Sequence, residues 1–118
     1  MALGPMNTLS QANLADATDH EVLAAPYNYD VIAMRYVVDE PPYGTLELTL
    51  ENKEVTVVLQ FYGVHELAIG AGFPHSYMGL EILDVSYLGW EHARVRVQGF
   101  EDAPGIQFWA RAVTRLSE

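Results

Sequence analysis

Thr45-Leu46-Glu47-Leu48-Thr49-Leu50-Glu51-Asn52-Lys53-Glu54-Val55-Thr56-Val57-Val58-Leu59-Gln60-Phe61 reads as two β-strands around a turn. In the first half leucine alternates with glutamate or threonine, the period-2 pattern of a strand with one buried face. Val55, Val57, Leu59 and Phe61 repeat the alternation beyond Asn52-Lys53. A two-residue loop at Asn52-Lys53 predicts Leu50 opposite Val55, Leu48 opposite Val57 and Leu46 opposite Leu59, with every apolar side chain on one face. Glu51 would then meet Glu54 at the tip, at a small repulsive cost.

Working upstream, Tyr29 to Val38 is rich in β-branched and aromatic residues, with Ile32, Met34, Tyr36 and Val38 on one face. Pro41-Pro42-Tyr43-Gly44 predicts a turn with proline second and glycine fourth. Residues up to about Ala25 read as a tail. Thr18-Asp19-His20-Glu21 has capping-box form, but Pro26 limits any helix there to one short one.

Downstream, Gly63 predicts a bend or bulge, followed by Val64 to Ile69. Gly70-Ala71-Gly72-Phe73-Pro74 reads as an irregular loop. Tyr77 to Tyr87 is apolar on both sides (Leu80 and Ile82; Leu83 and Val85), as in a doubly covered strand. Glu91 to Phe100 and Ile106 to Leu116 form a hairpin about Ala103-Pro104-Gly105-Ile106, whose Pro-Gly centre is a type II signature. That turn predicts Gly99 opposite Ala110, Val97 opposite Ala112 and Val95 opposite Thr114 on a core face. On the other face it sets Phe100 opposite Trp109, Gln98 opposite Arg111, Arg96 opposite Val113 and Arg94 opposite Arg115. The expectation is an all-β antiparallel meander forming a curled sheet or partly open barrel, with a short N-terminal tail or helix. Residues 1–25 form the tail and 26–118 the single β domain.

The 118 residues are half hydrophobic and 19% charged, a globular composition with a core of useful size. The absence of cysteine excludes a disulfide framework, thiolate metal sites and a cysteine nucleophile. No apolar run reaches the ~20 residues that span a bilayer. Met1 to Met6 shows neither a basic nor a long apolar region of a secretory signal, which predicts a cytoplasmic protein. Sixteen acidic against six basic residues leave a net charge of −10. Such a field opposes phosphate backbones and favours solubility and steered encounter with a basic protein. Met1 to Leu59 holds nine acidic and two basic residues, whereas Arg94, Arg96, Arg111 and Arg115 cluster near the end.

Catalytic and metal motifs are weak. His20, His65, His75 and His92 show no H-x-x-x-H or H-x-H spacing. Ser76 lacks a nucleophile elbow, and Gly70-Ala71-Gly72 lacks the lysine and helix of a phosphate loop. Asp39-Glu40 does not continue into a calcium loop. Asp84, inside an apolar strand, is either a base with a raised pKa or a carboxylate held by a bulge or an arginine. The expectation is a non-enzyme without cofactor or metal.

Two surfaces stand as partner-binding candidates. One is the acidic hairpin side, Asp39, Glu40, Glu47 and Glu51, with Tyr43 as an aromatic anchor. The other joins Phe100 and Trp109 to Arg96 and Arg111, residue types that dominate interface hot spots. The competing reading of the second is that arginine stems, the N-terminal tail or a second protomer cover the aromatics.

Val57-Val58-Leu59-Gln60-Phe61-Tyr62-Gly63-Val64-His65-Glu66-Leu67 is followed by Leu80-Glu81-Ile82-Leu83-Asp84-Val85-Ser86, Gly89-Trp90-Glu91 and Ile106-Gln107-Phe108-Trp109-Ala110. From about Val55 to Val113 this order resembles small bacterial immunity proteins of polymorphic toxin systems. The shared elements are structural, and no binding residue carries over position by position. The resemblance implies a non-enzymatic acidic protein that neutralises a cognate toxin by occlusion. Its rivals are a ligand-binding or enzymatic β-cup, with Asp84, His65 or His92 in a cavity, and a homo-oligomerisation module such as an edge-to-edge homodimer.

Overall fold

The computed structural model describes residues 14–53, 55–70, 80–99 and 105–117. They build one antiparallel sheet from β1 (Thr18–Asp19), β2 (Asp30–Val38), β3 (Gly44–Glu51), β4 (Thr56–Ile69), β5 (Leu80–Asp84), β6 (Val95–Gly99), β7 (Ile106–Ala110) and β8 (Ala112–Ser117). The strand order is β1-β5-β6-β7-β4-β3-β2, with β8 also beside β4. Two meanders, β2-β3-β4 and β5-β6-β7, are thus joined where β7 docks on β4. The sheet curls without closing into a barrel. No helix among the described residues is long and apolar enough to cross a membrane.

β4 is the spine. Its fourteen residues take β3 along one side, and β8 then β7 along the other. It changes direction at Gly63 (φ 65°) and Glu66 (φ 55°), the first being the bend expected there. Opposite Gly63, Arg111 separates β7 from β8, and its N–H donates to the Tyr62 carbonyl at 2.8 Å. The core lies inside the curl: Leu46, Leu48, Leu50, Val57, Leu59, Phe61, Val97 and Phe108 are fully buried. Phe61 and Phe108 meet edge to face at 4.9 Å. Burying each such ring contributes about 1.5–3 kcal/mol. On the outer face of β5-β6-β7 a second cluster joins Leu83, Val85, Ala93 and Trp109. β5 is therefore apolar on both sides because both of its sides are covered.

Several local expectations need correction. The β3–β4 register places Leu50 opposite Val57, Leu48 opposite Leu59 and Glu51 opposite Thr56. The loop is two residues longer than Asn52-Lys53 because Asn52 Oδ1 accepts the Val55 N–H at 3.0 Å. The β6–β7 pairs are Val95–Ala110, Arg96–Trp109 and Val97–Phe108, four residues away from the expected register. Gly105 has φ 155° rather than the value near +80° that a type II turn requires. Both shifts are even, so the paired residues of β3, β4, β6 and β7 kept their expected faces. Beyond Arg111 the faces are exchanged. Val113, expected on the outer face, sits opposite Phe61 and packs on the core, while Ala112 and Thr114, expected inside, are exposed opposite Tyr62 and Gln60 of β4. The turn after β2 spans Glu40 to Tyr43, one residue early, with the Tyr43 N–H donating to the Glu40 carbonyl and a cis Pro41–Pro42 bond. Thr18 and Asp19 form a strand on β5 instead of starting a helix. Leu23 enters the core, so the described part of the N-terminal stretch is woven into the fold rather than a free tail.

β2 departs furthest from expectation. A bulge lies between Val31 and Ala33, and beyond it Met34, Tyr36 and Val38 sit opposite Leu48, Leu46 and Gly44 on the core side. Of this strand only Val31 is buried. Ile32 is 51% exposed, Met34 and Tyr36 37% each, and Val38 62%. This apolar face therefore ends as an exposed margin, because β2 is last in the strand order.

Candidate functional site

The arginine–aromatic candidates are folded into the outer face. Leu83, Arg96, Trp109 and His65 occupy one cross-strand row over β5, β6, β7 and β4. The Arg96 guanidinium carbon lies 4.7 Å from the Trp109 ring centre. Its Nε donates to Gln98 Oε1 at 3.1 Å and its Nη2 to Gln107 Oε1 at 3.2 Å, while Gln98 Nε2 donates to Glu81 Oε1 at 3.1 Å. Burial pulls the Arg96 pKa down, and nearby Glu66 opposes that pull. Trp109 is 3% exposed, with Leu14, Ala17, Leu88 and Trp90 packed against its cluster. The N-terminal stretch thus helps to cover this cluster, and Trp109 is buried in it. Phe100 lies outside the described residues.

Arg111 stays at the surface. With His20, Asp84, Ser86 and Arg94 it lines a shallow cleft of about 210 Å³. Asp84 is no raised-pKa base: the Ser86 hydroxyl (2.7 Å) and backbone N–H (2.9 Å) both donate to its Oδ1. These bonds hold its carboxyl below the usual range against desolvation, and His20 and Arg94 add to the lowering. The Val22 N–H donates to His20 Nδ1, so a neutral His20 carries its proton on Nε2. His65 Nδ1 donates to the Gly63 carbonyl at 3.1 Å. Among the described residues no three His, Asp or Glu converge as a metal site.

The acidic candidates fall into two groups. Glu47 is half-buried opposite Arg35, and both line an open outer-face cleft of about 260 Å³ with Val37, Thr45 and Gln60. Glu51 is exposed and faces Asp30 of β2, two carboxylates directly opposite each other. Asp39 and Glu40 are exposed at the other end of β2, next to the turn. Tyr43 is half-buried, its ring stacked on His92 at 4.8 Å and edge-on to His65 at 5.2 Å. It ties the β2–β3 turn to β4 rather than standing free as an anchor.

Asp30 and Glu51 at one end and Asp39 and Glu40 at the other therefore bracket the apolar margin of β2. The sequence placed Ile32, Met34, Tyr36 and Val38 on one face without showing that this face is left exposed. Their alternation is the same in an edge strand as in a central one, so no local signal separates the two. Compared with family models, with curated proteins and with solved structures, the chain finds no match in any of the three.

Proposed function

We propose that this chain is a non-enzymatic, acidic protein-binding domain, an immunity-type inhibitor that neutralises a basic toxin by covering it. The observation that carries this reading is an exposed apolar strand flanked at both ends by carboxylates, on a chain of net charge −10. Apolar surface supplies contact area, and the surrounding acid speeds encounter with a basic partner and selects for it. The resemblance from Val55 to Val113 points the same way.

Affinity capture with the pure chain from native host lysate, followed by binding kinetics, tests the proposal. The expected result is a basic protein whose association slows steeply as screening shortens from ~10 Å at 0.1 M salt to ~3 Å at 1 M. Capture of no protein, or of one whose association ignores salt, would count against it.

A further inference from the structure

We infer that the free edge of β2 is a strand-addition site for an extended segment of a basic partner, one that alternates apolar side chains and carries lysine or arginine near its ends. The inference rests on the protein-binding reading above and specifies its surface and mode.

β2 is nine residues long, ~30 Å of strand. It is bonded to β3 on one side and stands at the end of the strand order, and no strand among the described residues pairs its other side, which leaves backbone donors and acceptors open there. Edges are usually blunted by charge, proline or brevity. Here the one basic residue, Arg35, lies opposite Glu47 on the other face, and the bulge sits near one end only. An added strand would continue the ladder and lay its inward side chains over Met34, Tyr36 and Val38, completing the half-covered row, with Ile32 exposed beside it at the bulge. Asp30 and Glu51 at one end, with Asp39 and Glu40 at the other, are placed to receive cations at the ends of that segment. A second copy of the chain fits less well. Antiparallel pairing about Met34 would bring Asp30 of each copy beside the Val38–Glu40 end of the other, merging acidic ends of two molecules that each carry −10.

The probe is a blocked nonapeptide with lysines at both ends and valine alternating with threonine between them. It is titrated into the isotope-labelled full chain while backbone amide exchange is followed. The expected result is slowed exchange at the β2 amides that β3 leaves unbonded, and no such slowing with the glutamate-ended counterpart. Ile32→Lys with Met34→Lys should weaken binding about ten-fold or more, as loss of a central apolar anchor does. The uncharged Met34→Thr, which keeps strand propensity, should weaken it less. Melting temperatures near wild type show that both variants are folded. Perturbation elsewhere on the sheet, equal response to both peptides, or no response at millimolar peptide overturns the assignment. A dimer in sedimentation that Met34→Lys dissolves also overturns it, in favour of a second copy. The two proposals fail separately. A captured basic protein that binds the lysine variants as tightly as wild type removes this edge and leaves the protein-binding reading intact. Peptide protection of β2 with no protein captured does the reverse.

Discussion

Arg96 lies directly across the ladder from Trp109, with its guanidinium 4.7 Å from the centre of the indole ring. The arginine stem and the packed cluster of Leu83, Val85 and Ala93 make this tryptophan part of the interior. Trp109→Ala should therefore cost about 3–5 kcal/mol of stability, the usual range for emptying a large aromatic site. Arg96→Met keeps the stem and loses the cation, so its cost should be nearer 1 kcal/mol. Denaturant unfolding of the two variants checks the order, and equal stabilities would show that the ring is not structural.

Gly44 is enclosed for a different reason. A Cβ there would run into the Tyr36 hydroxyl and come within 2.7 Å of the Val37 carbonyl oxygen. Gly44→Ala should destabilise by about 1–3 kcal/mol, as overpacking does. Adding Tyr36→Ala should restore only part of the loss, because the backbone clash remains. Thermal melts of the single and double variants measure that fraction.

Asp84 provides a pH signature. Its folded pKa is lowered, first by the Ser86 hydroxyl and then by the Ser86 N–H. A depressed carboxyl contributes stability above its unfolded value, ordinarily about 3.9, and the contribution fades as pH falls through the folded value. Ser86→Ala removes the larger cause, so the Asp84 midpoint should rise and the acid limb of the stability curve should flatten. Carboxyl-carbon NMR titration of both proteins follows the midpoint, and an unmoved value would place the cause elsewhere.

Glu51 and Asp30 face each other at the end of the β2–β3 ladder. Charge reversal, Glu51→Lys, turns a repulsive cross-strand pair into an attractive one and should stabilise by about 0.2–1 kcal/mol. The same change should slow association with a basic partner several-fold, because it weakens the acidic rim. Stability and on-rate moving in opposite directions would mark this carboxylate as a binding feature rather than a folding one. Glu47→Lys should instead lose stability slightly, since Arg35 stands opposite it.

Faces were legible locally in β3 and β4 but not past Arg111, where Val113 turned inward, and registers were not legible. The alternation in Leu46-Glu47-Leu48-Thr49-Leu50 and in Val57 to Phe61 depends only on the two-residue period of a strand, so the buried set could be read without knowing any partner. Register depends on loop closure. The Asn52 side chain lengthened one turn by two residues, and the Gly105 backbone departed from the turn that Pro-Gly suggests. The acidic ends of β2 were likewise visible as candidates, and so was the arginine–aromatic cluster, though not which of them the fold would cover.

By itself the sequence determined an all-β chain, its acidic charge, the bend at Gly63 and the inward faces of the central strands, because each follows from neighbours within a few residues. The tertiary structure alone decided that β7 docks on β4, that Thr18–Asp19 joins β5, and that β2 is left at an edge. Those outcomes depend on which distant strands compete for the same ladder. An identical apolar alternation therefore becomes core in β3 and open surface in β2.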